Sequence, residues 1–174
     1  DAELFARLGV FSGGFSLDSA DAVVGAAGGT DGSTGDLLPA LLRLVEQSLV
    51  ITAPSPDGTP RFRLLEPVRR HAAVRSQAAG LAPATAQAHA THFRAAALAA
   101  HSRLREGRIG PVLDRLEADH ANLRSAFLRL LELGRGTDAA ELAGSLWLYL
   151  GLRGHAREGL GWLDRLTGQD RGTG

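Results

Sequence analysis

The chain has 174 residues, 44% of them hydrophobic, and its 19 basic and 19 acidic side chains cancel to a formal net charge of zero. That length allows one domain or two small ones around a packed core, and neutrality argues against a generalised polyanion binder. With no Cys there is neither a disulfide framework nor a thiolate metal site. No apolar run approaches the roughly 20 residues that span a bilayer, and the start lacks a signal-peptide pattern, so the chain reads as soluble and cytoplasmic.

Every basic residue is Arg and there is no Met, even at the start, where Asp1-Ala-Glu-Leu-Phe5 opens directly in a helical pattern. The expectation is a fragment of a longer chain. Glu3, Leu4, Phe5, Leu8, Val10 and Phe11 give a short apolar-faced helix, stopped by Gly9 and the Gly13-Gly14 pair. Ser16 is placed to cap a second helix from about Leu17 to Ala26. Gly28 to Gly35 is glycine-rich, but no Gly-Lys-Ser/Thr follows and no apolar strand precedes it, so it reads as a loop rather than a phosphate cradle. Asp36 then caps a third helix to about Gln47.

Leu49 to Ala53 and Arg61 to Leu64 read as paired strands joined through Pro54 to Pro60, a segment whose prolines and Asp57-Gly58 make a turn. Glu66-Pro67 supplies the acidic first turn and early proline of a helix running to about Ala79. Three helices followed by a two-stranded wing is the order of a winged helix. In a DNA-binding version the third helix offers Arg, Lys, Asn or Gln to base edges. Here Arg43 and Gln47 stand among Leu37, Leu38, Leu41, Leu42 and Leu44, so the helix is read as built to pack and DNA binding by this segment is disfavoured.

Beyond Gly80 the periodicity is helical to the end. Pro83 to Arg105 is one helix, Pro111 to Leu133 a second, and Asp138 to Leu150 with His155 to Leu166 a hairpin across Gly151 to Gly154. Ala143, Gly144, Gly159 and Gly161 are small enough for close approach. Such pairs suit a tetratricopeptide-like array. The fold class is therefore mainly α: a winged helix over residues 1–80 with a two-stranded wing, then a helical, tetratricopeptide-like region over 81–174.

No catalytic set is visible: there is no Ser-His-Asp combination, no glycosidase carboxylate pair and no zinc signature. His89 and His92 share a helix without a third ligand and read as packing or surface residues, so no metal site is expected. His120 reads as a hydrogen-bonded histidine within an apolar stripe. Arg61, Arg63, Arg69, Arg70 and Arg75 form a local basic excess that suits a solvated face, nucleotide phosphate, an acidic neighbouring domain or DNA. Trp147, Tyr149 and Trp162 read as core, and a truncated repeat would leave the C-terminal hairpin free to self-associate.

Three segments combine into a resemblance. They are Leu4 to Leu17; Arg61-Phe-Arg-Leu-Leu-Glu66 with Arg69; and Leu116-Glu-Ala-Asp119-His120-Ala-Asn122-Leu123-Arg124. Trp147 to His155, including Arg153-Gly154-His155, then Glu158-Gly159 and Trp162, complete it. The chain resembles the region after the nucleotide-binding domain in bacterial STAND-type regulators, the NB-ARC ATPases common in actinomycetes, including SARP and LuxR-type members.

The resemblance implies an upstream domain in the same chain that binds ATP or ADP, a winged helix that closes over it, and a helical region that senses a protein or peptide partner and couples nucleotide state to an effector controlling transcription. The fragment itself has no cofactor and is not an enzyme, because the ATPase motifs lie outside it. Many relatives carry Met-His-Asp where this chain has Leu64-Leu65-Glu66. Leu65 cannot donate to a phosphate, so the resemblance makes Arg63, Leu65, Glu66 and Arg69 the nucleotide-sensing candidates, with Arg63 or Arg69 supplying the cation. Leu65 as core and Glu66 as a helix-end charge is the plainer reading. The alternatives to a STAND segment are a stand-alone winged-helix DNA-binding regulator and a helical-repeat peptide-binding scaffold.

Overall fold

A computed structural model describes residues 1–28, 34–54, 58–107 and 109–168. The chain divides into two compact units, Asp1–His92 and Phe93–Gly174, with the division inside a long helix. Among the described residues no helix is long and apolar enough to cross a membrane.

The first unit runs α1 (Ala2–Leu8), β1 (Phe15–Ser16), α2 (Leu17–Ala26), α3 (Thr34–Glu46), β2 (Ile51–Ala53), β3 (Arg61–Arg63) and α4 (Glu66–Ala78), and takes in the start of α5 (Ala82–Arg105). The strands form an antiparallel sheet in the order β1-β3-β2. Phe62 is central, facing Phe15 on one side and Thr52 on the other. The two-stranded wing expected from sequence thus gains a third strand. Phe15-Ser16 is too short to show a period-2 pattern and is recruited by burial: Phe15 is fully covered, stacks on Phe11 at 4.4 Å and lies 6.2 Å from Phe62. The buried Arg61 donates to the Gly14 carbonyl at 2.7 Å, which ties the entry of β1 to β3.

Ser16 caps α2 as expected, its hydroxyl accepting the Ser19 N–H at 3.2 Å. α3 begins at Thr34, two residues ahead of the expected Asp36 cap. Most of the glycine-rich segment, residues 29–33, and the wing turn 55–57 lie outside the described residues. α4 starts at Glu66 with Pro67 in its first turn, after Leu65 in extended geometry. Arg7 is buried and satisfied by Glu3 at 2.8 Å, the Ala27 carbonyl at 2.9 Å and Thr85 at 3.3 Å. His89 meets the Phe11 ring edge-on at 5.4 Å, and His92 Nε2 lies 3.1 Å from the Ser19 hydroxyl. Each of these two histidines therefore serves local contacts on a different neighbour.

The second unit holds the rest of α5, then α6 (Ile109–Ala118), α7 (His120–Glu132), α8 (Gly136–Leu152) and α9 (Ala156–Leu166). The single helix expected over 111–133 is interrupted at Asp119, a buried residue at φ −98°, ψ 2°. The i→i−4 bonds continue through it, from Asp119 to Arg115 and from Leu123 to Asp119, which is why the apolar period passes through unbroken. Phe127 and Trp162 stack at 4.5 Å with their planes 10° apart, joining α7 to α9. Arg94 pairs with Asp138 at 3.2 Å and with Glu141, joining α5 to α8.

Of the three glycines expected to permit close approach, Gly159 is the one that does so: a Cβ there would lie 3.2 Å from Leu150 Cδ1, whereas Gly144 and Gly161 face open space. Gly154, at φ +83°, ends α8, and His155 N–H reaches back to the Leu150 carbonyl at 2.8 Å. That bond fixes where His155 sits relative to the last turn of α8.

Candidate functional site

The winged-helix surface is made by α3 and by the β2–β3 wing. Leu37, Leu41 and Leu44 bury one side of α3, a spacing of four and three that puts them on a single stripe. Leu38 and Leu42 are 39% and 46% exposed, and Arg43, Glu46 and Gln47 are exposed beside them. All of these leucines are expected from composition to pack. Composition cannot say which leucines of a helix face inward, and two of them face out. Arg43 pairs bidentately with Asp1, at 2.9 and 2.7 Å, on the surface. On the wing, Arg63 ends β3 with its side chain exposed, and Thr59 and Pro60 precede the strand in the open.

The strand-to-helix junction places Arg63, Leu65, Glu66 and Arg69 in order along β3 and the first turn of α4. Leu65 is 48% exposed, so the core role read for it does not hold. Glu66 accepts two bonds from Arg69, at 2.8 and 2.9 Å, and one from Arg70 at 2.9 Å. These hydrogen bonds, Arg69 first, hold the Glu66 carboxyl at about 2. Arg69 also reaches the Gly9 carbonyl at 3.5 Å. Both sensing candidates with charge on α4 are therefore committed to each other.

In the second unit the motif residues converge. Leu116 and Leu123 are core, and Asp119 and Asn122 are buried. His120 Nε2 lies 2.8 Å from Glu158 Oε2 and its Nδ1 lies 2.9 Å from the Tyr149 hydroxyl. His155 Nε2 approaches Glu117 Oε2 at 3.0 Å, and Arg124 Nε lies 3.3 Å from Glu158 Oε1. Arg153 pairs with Asp114.

Burial by itself would raise Glu117, but the bonds from His155 and Tyr149 outweigh it and hold the carboxyl below its ordinary range. Burial and the bond to Glu117 push the Tyr149 phenol well above its own. Sequence reasoning missed Glu117 and Asp114; their signal was spacing, since Glu117 lies three residues before His120, and Asp114 three before Glu117. Trp162 is core, but Trp147 is 63% exposed, against the core reading of the sequence.

A family profile described as winged helix-turn-helix domain matches residues 1–77. Over 170 residues the chain is 36% identical to proteins of Mycobacterium tuberculosis and Mycobacterium bovis whose names describe HTH-type transcriptional regulators. The match takes in 97% of this chain and 18% of each relative, so the chain spans about a fifth of their length. No solved structure matches. Residues 1–77 are thus a winged helix-turn-helix domain, and the chain is homologous to proteins named as transcriptional regulators. These findings overturn the expectation that DNA binding is disfavoured. A net charge of zero averages over the chain and is blind to which cations stand on one face, and the apolar composition of α3 hid an outward side.

Proposed function

We propose that this segment belongs to a transcription regulator and that its winged helix contacts duplex DNA through α3 and the β2–β3 wing. The observation that carries the reading is the match of residues 1–77 to the winged helix-turn-helix family, borne by a domain whose third helix keeps an exposed side. In this reading α3 enters the major groove. Arg43 and Gln47 supply donors, and Leu38 and Leu42 supply apolar contact of the kind that meets thymine methyl groups. The Arg43–Asp1 pair is exposed and so is worth at most about 1 kcal/mol, which a phosphate can displace. Arg63 places a cation on the wing, where winged domains meet the backbone. The test is a titration of a labelled duplex with the chain at two salt concentrations: saturable binding that weakens steeply with salt supports the reading, and no binding at low salt refutes it.

A second reading follows the resemblance to STAND regulators, with an ATPase domain elsewhere in the longer protein and the helical region as sensor. Its support is Leu65, an apolar side chain 48% exposed between Arg63 and Glu66, as a surface that meets a neighbouring domain would be. Because Arg69 is engaged by Glu66, Arg63 is the better phosphate cation of the two. In a chain carrying the nucleotide-binding domain, Arg63→Ala would weaken ADP retention more than Arg69→Ala; unchanged retention in both excludes phosphate sensing at this junction.

A further inference from the structure

The polar cluster at the α6–α7 break and the α8–α9 turn is independent of the winged helix. The Tyr149 hydroxyl has one proton, and it goes to Glu117 Oε2 at 2.9 Å because a carboxylate can only accept. His120 Nδ1, 2.9 Å from the same hydroxyl, must then donate to it. A neutral imidazole carries a single N–H, so this assignment leaves Nε2 with its lone pair directed at Glu158 Oε2, 2.8 Å away. Two lone pairs do not hold each other at that distance, whereas a cation between them, a proton or a metal ion, does.

The rest of the cluster has the same character. Glu158 Oε1 is buried and makes no hydrogen bond among the described residues, its contact being the ion pair to Arg124 at 3.3 Å. The His155 ring lies face to face with that of His120, 4.0 Å between centroids and 18° between planes, so a shared metal requires the His155 ring to turn out of that stack. One donor atom from each of His120, His155 and Glu158 lies within 4.8 Å of the others.

We propose that His120, His155 and Glu158 bind a divalent transition metal, with zinc as the best fit. Two imidazoles and a carboxylate are a donor set that zinc takes with one position left open, while magnesium and calcium prefer all-oxygen sites. Tetrahedral zinc with bonds of about 2.0–2.1 Å sets its ligand atoms about 3.3 Å apart. The His120–Glu158 separation of 2.8 Å is already near that edge, and the wider separations close by rotation of His155 and Glu158, neither of which is fully buried. Tyr149 accepts from Nδ1 and so fixes the His120 tautomer that leaves Nε2 available. His120 opens α7, while His155 and Glu158 open α9, so the metal pins the start of one helix to the start of another.

The chain, freed of metal with a chelator, is titrated with zinc sulfate against a chromogenic zinc indicator at neutral pH, and with cobalt(II) to read the absorption of a tetrahedral site. One zinc per chain is expected. Glu158→Gln, which keeps the side-chain shape, and His155→Ala each weaken uptake tenfold or more, and Tyr149→Phe weakens it about tenfold with the stoichiometry kept. Circular dichroism of each variant separates lost ligands from lost fold. Absence of stoichiometric uptake, or uptake that Glu158→Gln leaves unchanged, overturns the proposal. So does an imidazole NMR signature showing both His120 nitrogens protonated and unmoved by zinc, because a proton then does the bridging.

Discussion

Gly9 and Ala73 are in contact through their backbones: a Cβ placed on Gly9 would lie 2.6 Å from the Ala73 nitrogen, and 2.9 Å from the carbonyl carbon and Cβ of Ala72. Gly9 sits at φ −59°, ψ −14°, a conformation any residue adopts, so its cost of substitution is steric rather than conformational. Gly9→Ala forces α1 away from α4 and is expected to destabilise the first unit by ~1–3 kcal/mol. Gly25, in α2 with nothing within 4 Å of its Cβ position, gives the contrast, since Gly25→Ala stabilises by ~0.5–1 kcal/mol. Urea denaturation followed by circular dichroism distinguishes the two, and equal midpoints would contradict the close α1–α4 approach.

The two tryptophans have opposite environments and opposite consequences. Trp162 is buried against Phe127, so Trp162→Ala removes a core ring at a cost of ~3–5 kcal/mol. Trp147 is exposed, and Trp147→Ala changes stability by no more than ~0.5 kcal/mol. Thermal unfolding of both variants checks this; a large loss with Trp147→Ala would mean that its face is covered.

Glu66 gives a pH signature. Arg69 and Arg70 hold its carboxyl at about 2 in the folded chain, against about 4.3 for an unperturbed Glu. The folded value is the lower one, so its contribution is complete above the unfolded value and is lost as pH falls from there towards 2. A carboxyl carbon titration by NMR is expected to place Glu66 well below the ordinary carboxylate range, with Arg69→Ala moving it upward. A midpoint near 4 in the unmodified chain would show that the two arginines do not engage it in solution.

Much of the fold was legible because its signals were local. Ser16 as a cap, Glu66-Pro67 as a helix start and the α8–α9 hairpin each rest on a few neighbouring residues. β1 was not legible, because a two-residue strand has no period and exists through burial of Phe15 against residues far along the chain. Nor was the break at Asp119, where the hydrogen-bond ladder and the apolar spacing both run on. In the second unit the motif residues were visible as types, but their convergence was not: His120, Tyr149 and His155 meet only once α8 has ended at Gly154 and turned. The outward leucines of α3 show the reverse limit, since composition alone made a half-exposed helix read as core and turned the inference away from DNA.

The central claim is that α3 and the wing meet DNA, and the most direct measurement is the salt dependence of duplex binding in Arg43→Ala and Arg63→Ala beside the unmodified chain. Each phosphate-contacting arginine contributes about 0.9 to the slope of log K against log salt. Arg63→Ala is predicted to lower that slope by about one and to weaken binding across all sequences, while Arg43→Ala weakens binding more for some sequences than for others. Binding with the same slope and strength in both variants, or no binding by the unmodified chain at low salt, would contradict it.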